Sequence, residues 1–374
     1  LLLFVHKKKN PSFLMPDLEQ TIAQTLDSLM GALAPLGFVA RHIHPGEIDA
    51  VLDAVGKPDG GLTIAIEQVR KAEWPQQLAA FRTQVERAAD ATLEAWGALR
   101  LAAVGNDIRR AYRALRSEAR AQEALFPLAR IIPQVSLFFL DPEARENAAL
   151  KADLAQGMGK PNRGVLHAEN TEDQRGGFSL FVPEDTRDDV PRPLVIALHG
   201  GSGHGRNFLW HWVRTARSRG LIVATPTSIG PTWALAGEDV DTPNLHRIVD
   251  FVSQRWPVDT SRLLLTGMSD GGTFTLLSGV QSDSRFTHLA PFAASFHPIL
   301  IEMSERSRLA NLPIHLCHGE LDWMFPVDVA RTARDAFQAA GAAVTYLELD
   351  DLSHTYPRDA QPALVDWFLK DRTP

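Results

Sequence analysis

Cysteine is almost absent from this chain. Cys317 is the single one in 374 residues, so no intrachain disulfide can hold the fold together and a core must come from apolar packing. A surplus of cations is missing too: 38 Lys and Arg face 45 Asp and Glu, for a net charge of −7. Such a balance gives no global pull toward nucleic acid or an anionic membrane, and no local basic patch replaces it. The opening run LLLFVHKKKNPSFLM places its apolar residues before its lysines, the reverse of a secretory signal, and is too short to cross a bilayer. No other segment reads as transmembrane in length. With no signal and one cysteine, the expected compartment is the cytoplasm. Because Met15 directly precedes a helix-like segment, residues 1–14 are expected to be a disordered upstream extension. Internal repeats are lacking as well.

What is present is a chain long enough for two domains, with 45% hydrophobic residues. Residues 15–158 are rich in Ala, Leu, Arg and Glu and read as a helical domain. Leu78, Phe81, Val85, Ala89, Leu93 and Trp96 recur at steps of three and four, which marks one buried helix face in need of a partner. That need motivates either a lid over a site or an interface that builds a homo-oligomer. Arg109, Arg113, Arg116 and Arg120 run down a second helix and read as a solvated face, with Glu118 and Glu123 nearby. Leu62–Ile66 is an apolar run too brief to separate a short strand from a helix. The Gly-rich stretch at 155–164 is the expected linker.

From 159 to 374 strand and helix signals alternate, which predicts an α/β fold: a mostly parallel sheet with helices on both faces. The strands are expected at 177–182, 194–198, 221–225, 263–266, 289–295, 314–317 and 344–349. In such a sheet the ligand site lies beyond the carboxyl ends of the strands, so the loop after each strand is where chemistry belongs. After 263–266 comes Gly267-Met268-Ser269-Asp270-Gly271, followed by an apolar helix. A Cβ at 267 or 271 would collide with neighbouring elements, and the turn lifts the Ser269 hydroxyl while setting the Asp270 N–H at a helix N-terminus. After 194–198 comes His199-Gly200-Gly201-Ser202-Gly203, and Gly201 is the candidate for a second oxyanion N–H donor. No G-K-[ST] follows, so a phosphate cradle is not indicated. Asp322 lies in the loop after 314–317, and His354 in the loop after 344–349. An alcohol, an imidazole and a carboxylate in that chain order supply a nucleophile, its base and the group that orients the base. Asp350 and Asp351 are the rivals for the acid, but they would have to fold back on His354 within one loop.

The elbow, the HGG loop, the HGELDWMFP segment and the late Ser353-His354 together resemble the α/β-hydrolase superfamily. The text is most similar to phospholipase/carboxylesterase and polyhydroxybutyrate-depolymerase-like serine esterases, over roughly 165–374. The resemblance implies a Ser269–Asp322–His354 triad, an oxyanion hole at Gly201 and Asp270, and small-molecule carboxylic esters as substrates, with neither metal nor cofactor. It says nothing of the helical domain. Asp270 departs from the Gln that related esterases often carry. Metal is not expected at His315, Cys317 and His318, because a strand sends its residues to opposite faces, nor at His42 and His44. Trp233, Trp323 and Phe296 are the substrate-pocket candidates. The leading expectation is a serine esterase acting through an acyl-enzyme. A thioesterase or polyester depolymerase with the same triad stays open, as does a binding or dimerisation module whose hydrolase domain is inactive.

Overall fold

The computed structural model describes residues 16–370, and the expectation for residues 1–14 falls outside them. The chain divides into two compact units, one running to Asp141 and one from Pro142.

The first unit is helical: α1 (Pro16–His42), α2 (Ile48–Val55), α3 (Gly60–Lys71), α4 (Ala79–Val104) and α5 (Ile108–Leu125), closed by short turns of helix. The stripe of α4 is covered within this unit. Phe81, Val85, Ala89 and Trp96 are buried, α4 packs on α1, α2, α3 and α5, and the Trp96 Nε1–H donates to the Ala32 carbonyl at 2.9 Å. The face that asked for a lid or a second subunit therefore finds its partners among its own neighbours. α1 corrects one expectation: Leu18–His42 is a helix long and apolar enough to cross a membrane, by length and composition. Its Leu18, Ile22, Leu26, Leu29, Leu33 and Leu36 follow a 3–4 spacing and lie buried in the unit, which accounts for the hydropathy. Of the two forms open to Leu62–Ile66 the chain takes the helix, since Leu62, Ala65, Ile66 and Val69 bury one side of α3. α5 begins at an Asp107 cap whose Oδ1 accepts the Arg110 N–H at 2.9 Å. Its Arg109, Arg113, Arg116 and Arg120 are exposed, as the solvated-face reading requires, but Glu118 is buried and receives the Gln122 amide at 2.9 Å.

The second unit carries an eight-stranded sheet in the order β1-β2-β4-β3-β5-β6-β7-β8. The strands are β1 (Gly164–Ala168), β2 (Phe178–Val182), β3 (Arg192–Leu198), β4 (Ile222–Pro226), β5 (Val258–Met268), β6 (His288–Phe292), β7 (Pro313–Gly319) and β8 (Ala343–Leu349). β2 runs antiparallel to both neighbours and every other pairing is parallel. Every residue of β2, β4, β6 and β7 is buried, as expected of strands covered on both faces. β1 has no counterpart among the expected strands: it is a short edge element, only one of whose residues is fully buried, so its text lacks a continuous apolar run. The chain leaves β3 for β4 on one side and then returns to β5 on the other. That switch point opens a crevice at the carboxyl ends of β3 and β5.

The boundary between units lies earlier than the expected linker. The helix Ala148–Gly157 belongs with the sheet, because a Cβ at Gly157 would sit 1.8 Å from the Glu184 carbonyl oxygen just beyond β2, and Glu143 reaches Arg219 at 3.6 Å. Glu184 also anchors a buried ion pair with Arg217, at 3.0 Å and with the arginine fully inaccessible. Burial pushes the Glu184 carboxyl up, and the guanidinium opposes that push. Removing one member strands the other in a dry site. Arg217→Met is therefore expected to cost about 3–5 kcal/mol in denaturant unfolding. Adding Glu184→Gln should recover part of that loss; equal stability of the single variant and the parent would contradict the pair's role.

Candidate active site

Ser269 follows β5 in a backbone conformation of φ 57° and ψ −122°, which side chains rarely adopt and which costs of the order of 1–3 kcal/mol. The helix Asp270–Gly279 starts at the next residue. The flanking glycines are demanded by sterics: a Cβ at Gly267 would lie 2.3 Å from the Gly271 carbonyl oxygen, and one at Gly271 2.5 Å from the oxygens of Leu198 and His199. The Ser269 N–H donates to the Phe292 carbonyl at 2.9 Å, tying the turn to the end of β6. Strand, turn and helix leave the hydroxyl above the crevice.

The structure brings Ser269, His354 and Asp322 into one hydrogen-bonded line. The Ser269 Oγ lies 2.9 Å from His354 Nε2, and His354 Nδ1 lies 2.8 Å from Asp322 Oδ2. All three are buried. The acceptor at Nδ1 is a carboxylate, so Nδ1 carries the proton and Nε2 is free to accept from the serine. Asp322 is itself held in place, its Oδ1 accepting the N–H groups of Met324 and Phe325, each at 2.9 Å. Burial works to raise the Asp322 carboxyl. The His354 bond and charge, with the Phe325 N–H, outweigh it and hold the carboxyl below its usual range. Gly319 allows the acid loop to dock on the histidine loop: a Cβ there would be 2.0 Å from the Leu352 carbonyl oxygen. That docking is how two loops distant in sequence meet.

Gly201 and Asp270 are also brought together. A Cβ at Gly201 would lie 2.6 Å from Asp270 Oδ2, and one at Gly200 3.5 Å from the Ser269 Cβ, so the loop after β3 rests against the elbow. Of the pocket candidates, Trp323 is half-buried with its ring 6.4 Å from that of His354. Phe296 is half-buried beyond β6 and lies against Phe337. Trp233 is 2% exposed, stacks on Phe274 and donates its indole N–H to the His199 carbonyl at 2.7 Å. It supports the glycine loop from beneath.

Residues 228–234, beyond β4, form a brace that has little signature in the sequence. The Thr232 hydroxyl donates to Asp270 Oδ2 at 2.6 Å, and Asp241 accepts the N–H groups of Ile229 and Ala234, each at 2.9 Å. Arg175 donates to the Ser228 and Gly230 carbonyls at 3.0 and 2.6 Å. The Ser228 N–H donates to His199 Nε2 at 3.1 Å, so the other ring nitrogen carries the proton and donates to the Gly200 carbonyl at 2.7 Å. The glycine loop is thus fixed from several sides before any ligand arrives. Among the described residues no three His, Cys, Asp or Glu side chains group as metal ligands.

Strand order, the single antiparallel strand and the serine elbow after β5 define an α/β-hydrolase. Residues 237–366 match the model of the phospholipase/carboxylesterase family. A bifunctional acetylxylan esterase/xylanase of Neocallimastix patriciarum is 31% identical over 206 residues, covering 52% of this chain and 29% of that protein. The chain thus spans less than a third of the length of this relative. Among solved structures, a ferulic acid esterase aligns at a TM-score of 0.46 and 14% identity, covering 55% of this chain and 96% of its own. A thermostable esterase aligns at 0.45 and 20%, covering 55% and 61%.

Proposed function

We propose that this chain is a serine carboxylic-ester hydrolase for small to medium esters, with Ser269 as nucleophile, His354 as general acid and base, and Asp322 as the group that orients and charges the imidazole. The observation that carries the proposal is the continuous line from Asp322 through His354 to a serine held at a strained elbow. In the first half-reaction the Ser269 oxygen bonds to the ester carbonyl carbon while its proton passes to His354 Nε2. The Asp270 N–H, with the N–H of Gly201, receives the oxyanion. Collapse breaks the bond to the alcohol, which leaves with the proton from His354 and leaves the acyl group on Ser269. Water then gives a proton to the same nitrogen as its oxygen bonds to the acyl carbon; collapse breaks the bond to Ser269 Oγ, which takes that proton back, and the carboxylic acid leaves. Every role is filled by a side chain or a backbone N–H, so the proposal requires no metal and no cofactor. The Neocallimastix relative adds acetylated xylan to the substrates worth testing.

The test is a panel of p-nitrophenyl esters, a thioester and acetylated xylo-oligosaccharides. The expected result is steady turnover of the nitrophenyl esters preceded by a burst of nitrophenolate equal to the enzyme present, the mark of an accumulating acyl-enzyme. Absence of turnover on every member would overturn the proposal. Preference for the thioester would reassign the substrate and keep the machinery.

A further inference from the structure

The two proposed oxyanion donors sit on unlike pieces of backbone. The Asp270 N–H opens the helix Asp270–Gly279 and is fixed by it. The Gly201 N–H lies in the irregular loop 199–203, whose Ser202 has φ 55°, a left-handed conformation that a residue other than glycine keeps only when its surroundings hold it. The flanks of this loop are tied. The Gly200 carbonyl accepts the Gly203 N–H at 3.0 Å and the His199 ring N–H at 2.7 Å, and Arg175 reaches the Gly203 carbonyl at 3.4 Å. Gly201 makes no hydrogen bond among the described residues, which leaves its N–H for an ester oxygen. What meets Gly201 is the side chain of Asp270.

A Cβ built on Gly201 would lie 2.6 Å from Asp270 Oδ2 and 3.8 Å from Oδ1, so the carboxylate covers the place a side chain would take. The same Oδ2 accepts the Thr232 hydroxyl at 2.6 Å, within the short range of O–H bonds to an ionised carboxylate. Among the described residues Thr232 is the one hydrogen-bond donor to this carboxylate. Thr232 is itself fixed, because it belongs to the brace that Asp241 and Arg175 hold through Ile229, Ala234, Ser228 and Gly230. Its neighbour Trp233 grips the start of the glycine loop at the His199 carbonyl, at 2.7 Å. The brace thus holds one end of the loop directly and reaches its middle through Thr232 and Asp270.

We propose that the Asp270 side chain, aimed by Thr232, is a positioning residue for the oxyanion site: the Thr232–Asp270 bond holds the carboxylate against Gly201 and keeps the Gly201 N–H directed at the place where the ester oxygen gains charge. The inference rests on Ser269 being the nucleophile and on the Gly201 and Asp270 N–H groups receiving the oxyanion. It adds a task for a side chain that, at this position, departs from the Gln of related esterases. A donor of this kind acts on the transition state more than on bound ester. Both half-reactions pass through an oxyanion, so a loosened donor slows acylation and deacylation together. KM, which depends on the ratio of those two rates when the acyl-enzyme accumulates, then stays where it is. Outright loss of one such donor costs about 10²–10³ in kcat, and a donor loosened rather than removed should cost about ten- to a hundredfold.

The experiment uses the full chain. Thr232→Val keeps the branched shape of a half-buried side chain and removes the donor. Its kcat on p-nitrophenyl acetate is expected to fall about ten- to a hundredfold with KM within about twofold of the parent, and Thr232→Ser, which keeps the hydroxyl, should recover most of the loss. Asp270→Ala leaves the backbone N–H in place and should fall by a similar factor. The double variant should be no worse than the poorer single one, because both changes remove the same tether. A further readout separates aim from packing. The Ser269 oxygen can add to the carbonyl carbon of 1,1,1-trifluoroacetone while its proton passes to His354, which leaves an oxyanion facing the two N–H groups and no group to expel. The inhibition constant of this ketone should rise in Thr232→Val by the factor that kcat falls, at an unchanged unfolding midpoint. An unchanged kcat, a loss carried by KM, no recovery in Thr232→Ser, or losses that multiply in the double variant would each overturn the proposal. Failure of the underlying function reading looks different: the ketone would not inhibit the parent, and Ser269→Ala would still turn over esters.

Discussion

Ser269→Ala is expected to remove about 10⁶ in kcat on p-nitrophenyl acetate while leaving the folded protein intact. The size follows from the way the three residues act together. Without the oxygen that forms the acyl-enzyme, His354 and Asp322 have no proton to move and no covalent step to serve. What survives is the oxyanion site and substrate binding, which in such centres retain about 10³–10⁴ over water. The fold should hold because the hydroxyl's partner is His354 Nε2 at 2.9 Å, and the strained backbone at φ 57° is the same for alanine. Circular dichroism and the unfolding midpoint check that half of the expectation. Turnover within tenfold of the parent, on a protein freed of contaminating esterase by active-site titration, would remove Ser269 from the mechanism.

The parts of the site that could be read from the sequence are those where one local constraint forces the residue type. Gly267 and Gly271 are legible because a strained serine between a strand and a helix tolerates no Cβ beside it, and the 2.3 and 2.5 Å approaches show why. Asp322 and His354 are legible because each follows a parallel strand, the fully buried β7 and the half-buried edge strand β8, so the sheet's own polarity delivers them to one edge. The brace at 228–234 is not legible in this way. Thr232 and Ser228 are ordinary loop residues and Asp241 opens a helix; they meet Asp270 beyond β5, His199 beyond β3, Arg175 before β2, and Ile229 and Ala234 of the brace itself, and no local spacing encodes such meetings. β1 was missed because an edge strand buries little and so writes little hydrophobic pattern. The helix α3 is not decidable from its text because a five-residue apolar run carries too few repeats to separate a period of 3.6 from one of 2. Trp233 shows the remaining difficulty: its place after a strand suggested a pocket wall, while its indole N–H spends itself on the His199 carbonyl. An aromatic beside a site and an aromatic beneath one look alike in sequence.

Asp322→Asn probes the orienting role without emptying the space. Asparagine can keep its carbonyl oxygen toward the Met324 and Phe325 N–H groups, so the loop should hold its shape. Its amide nitrogen would then point at His354 Nδ1 from the place of the carboxylate oxygen now 2.8 Å away. Two donors cannot face each other, so the imidazole takes the other tautomer, with its proton on Nε2 and directed at the serine oxygen. That nitrogen can no longer accept the serine proton, and the imidazolium formed during attack has lost its counter-charge. The expected loss is about 10⁴ in kcat with KM little changed, since no contact to bound ester is altered. Stability should respond to pH in the direction set by the depressed carboxyl. A carboxylate held below its usual range stabilises the fold at pH values above its unfolded pKa, and that contribution fades as the pH falls through the lower folded value. The parent's unfolding midpoint should therefore lie above that of Asp322→Asn at neutral pH, and the gap should narrow on acidification beginning near pH 4. His318, whose Nε2 lies 3.3 Å from the same carboxylate oxygen and 2.8 Å from the Phe325 carbonyl, is common to both proteins. Burial lowers its affinity for a proton, which works against its charging as the pH falls. A kcat loss below tenfold, or a gap that widens as the pH falls, would show that another acid serves His354.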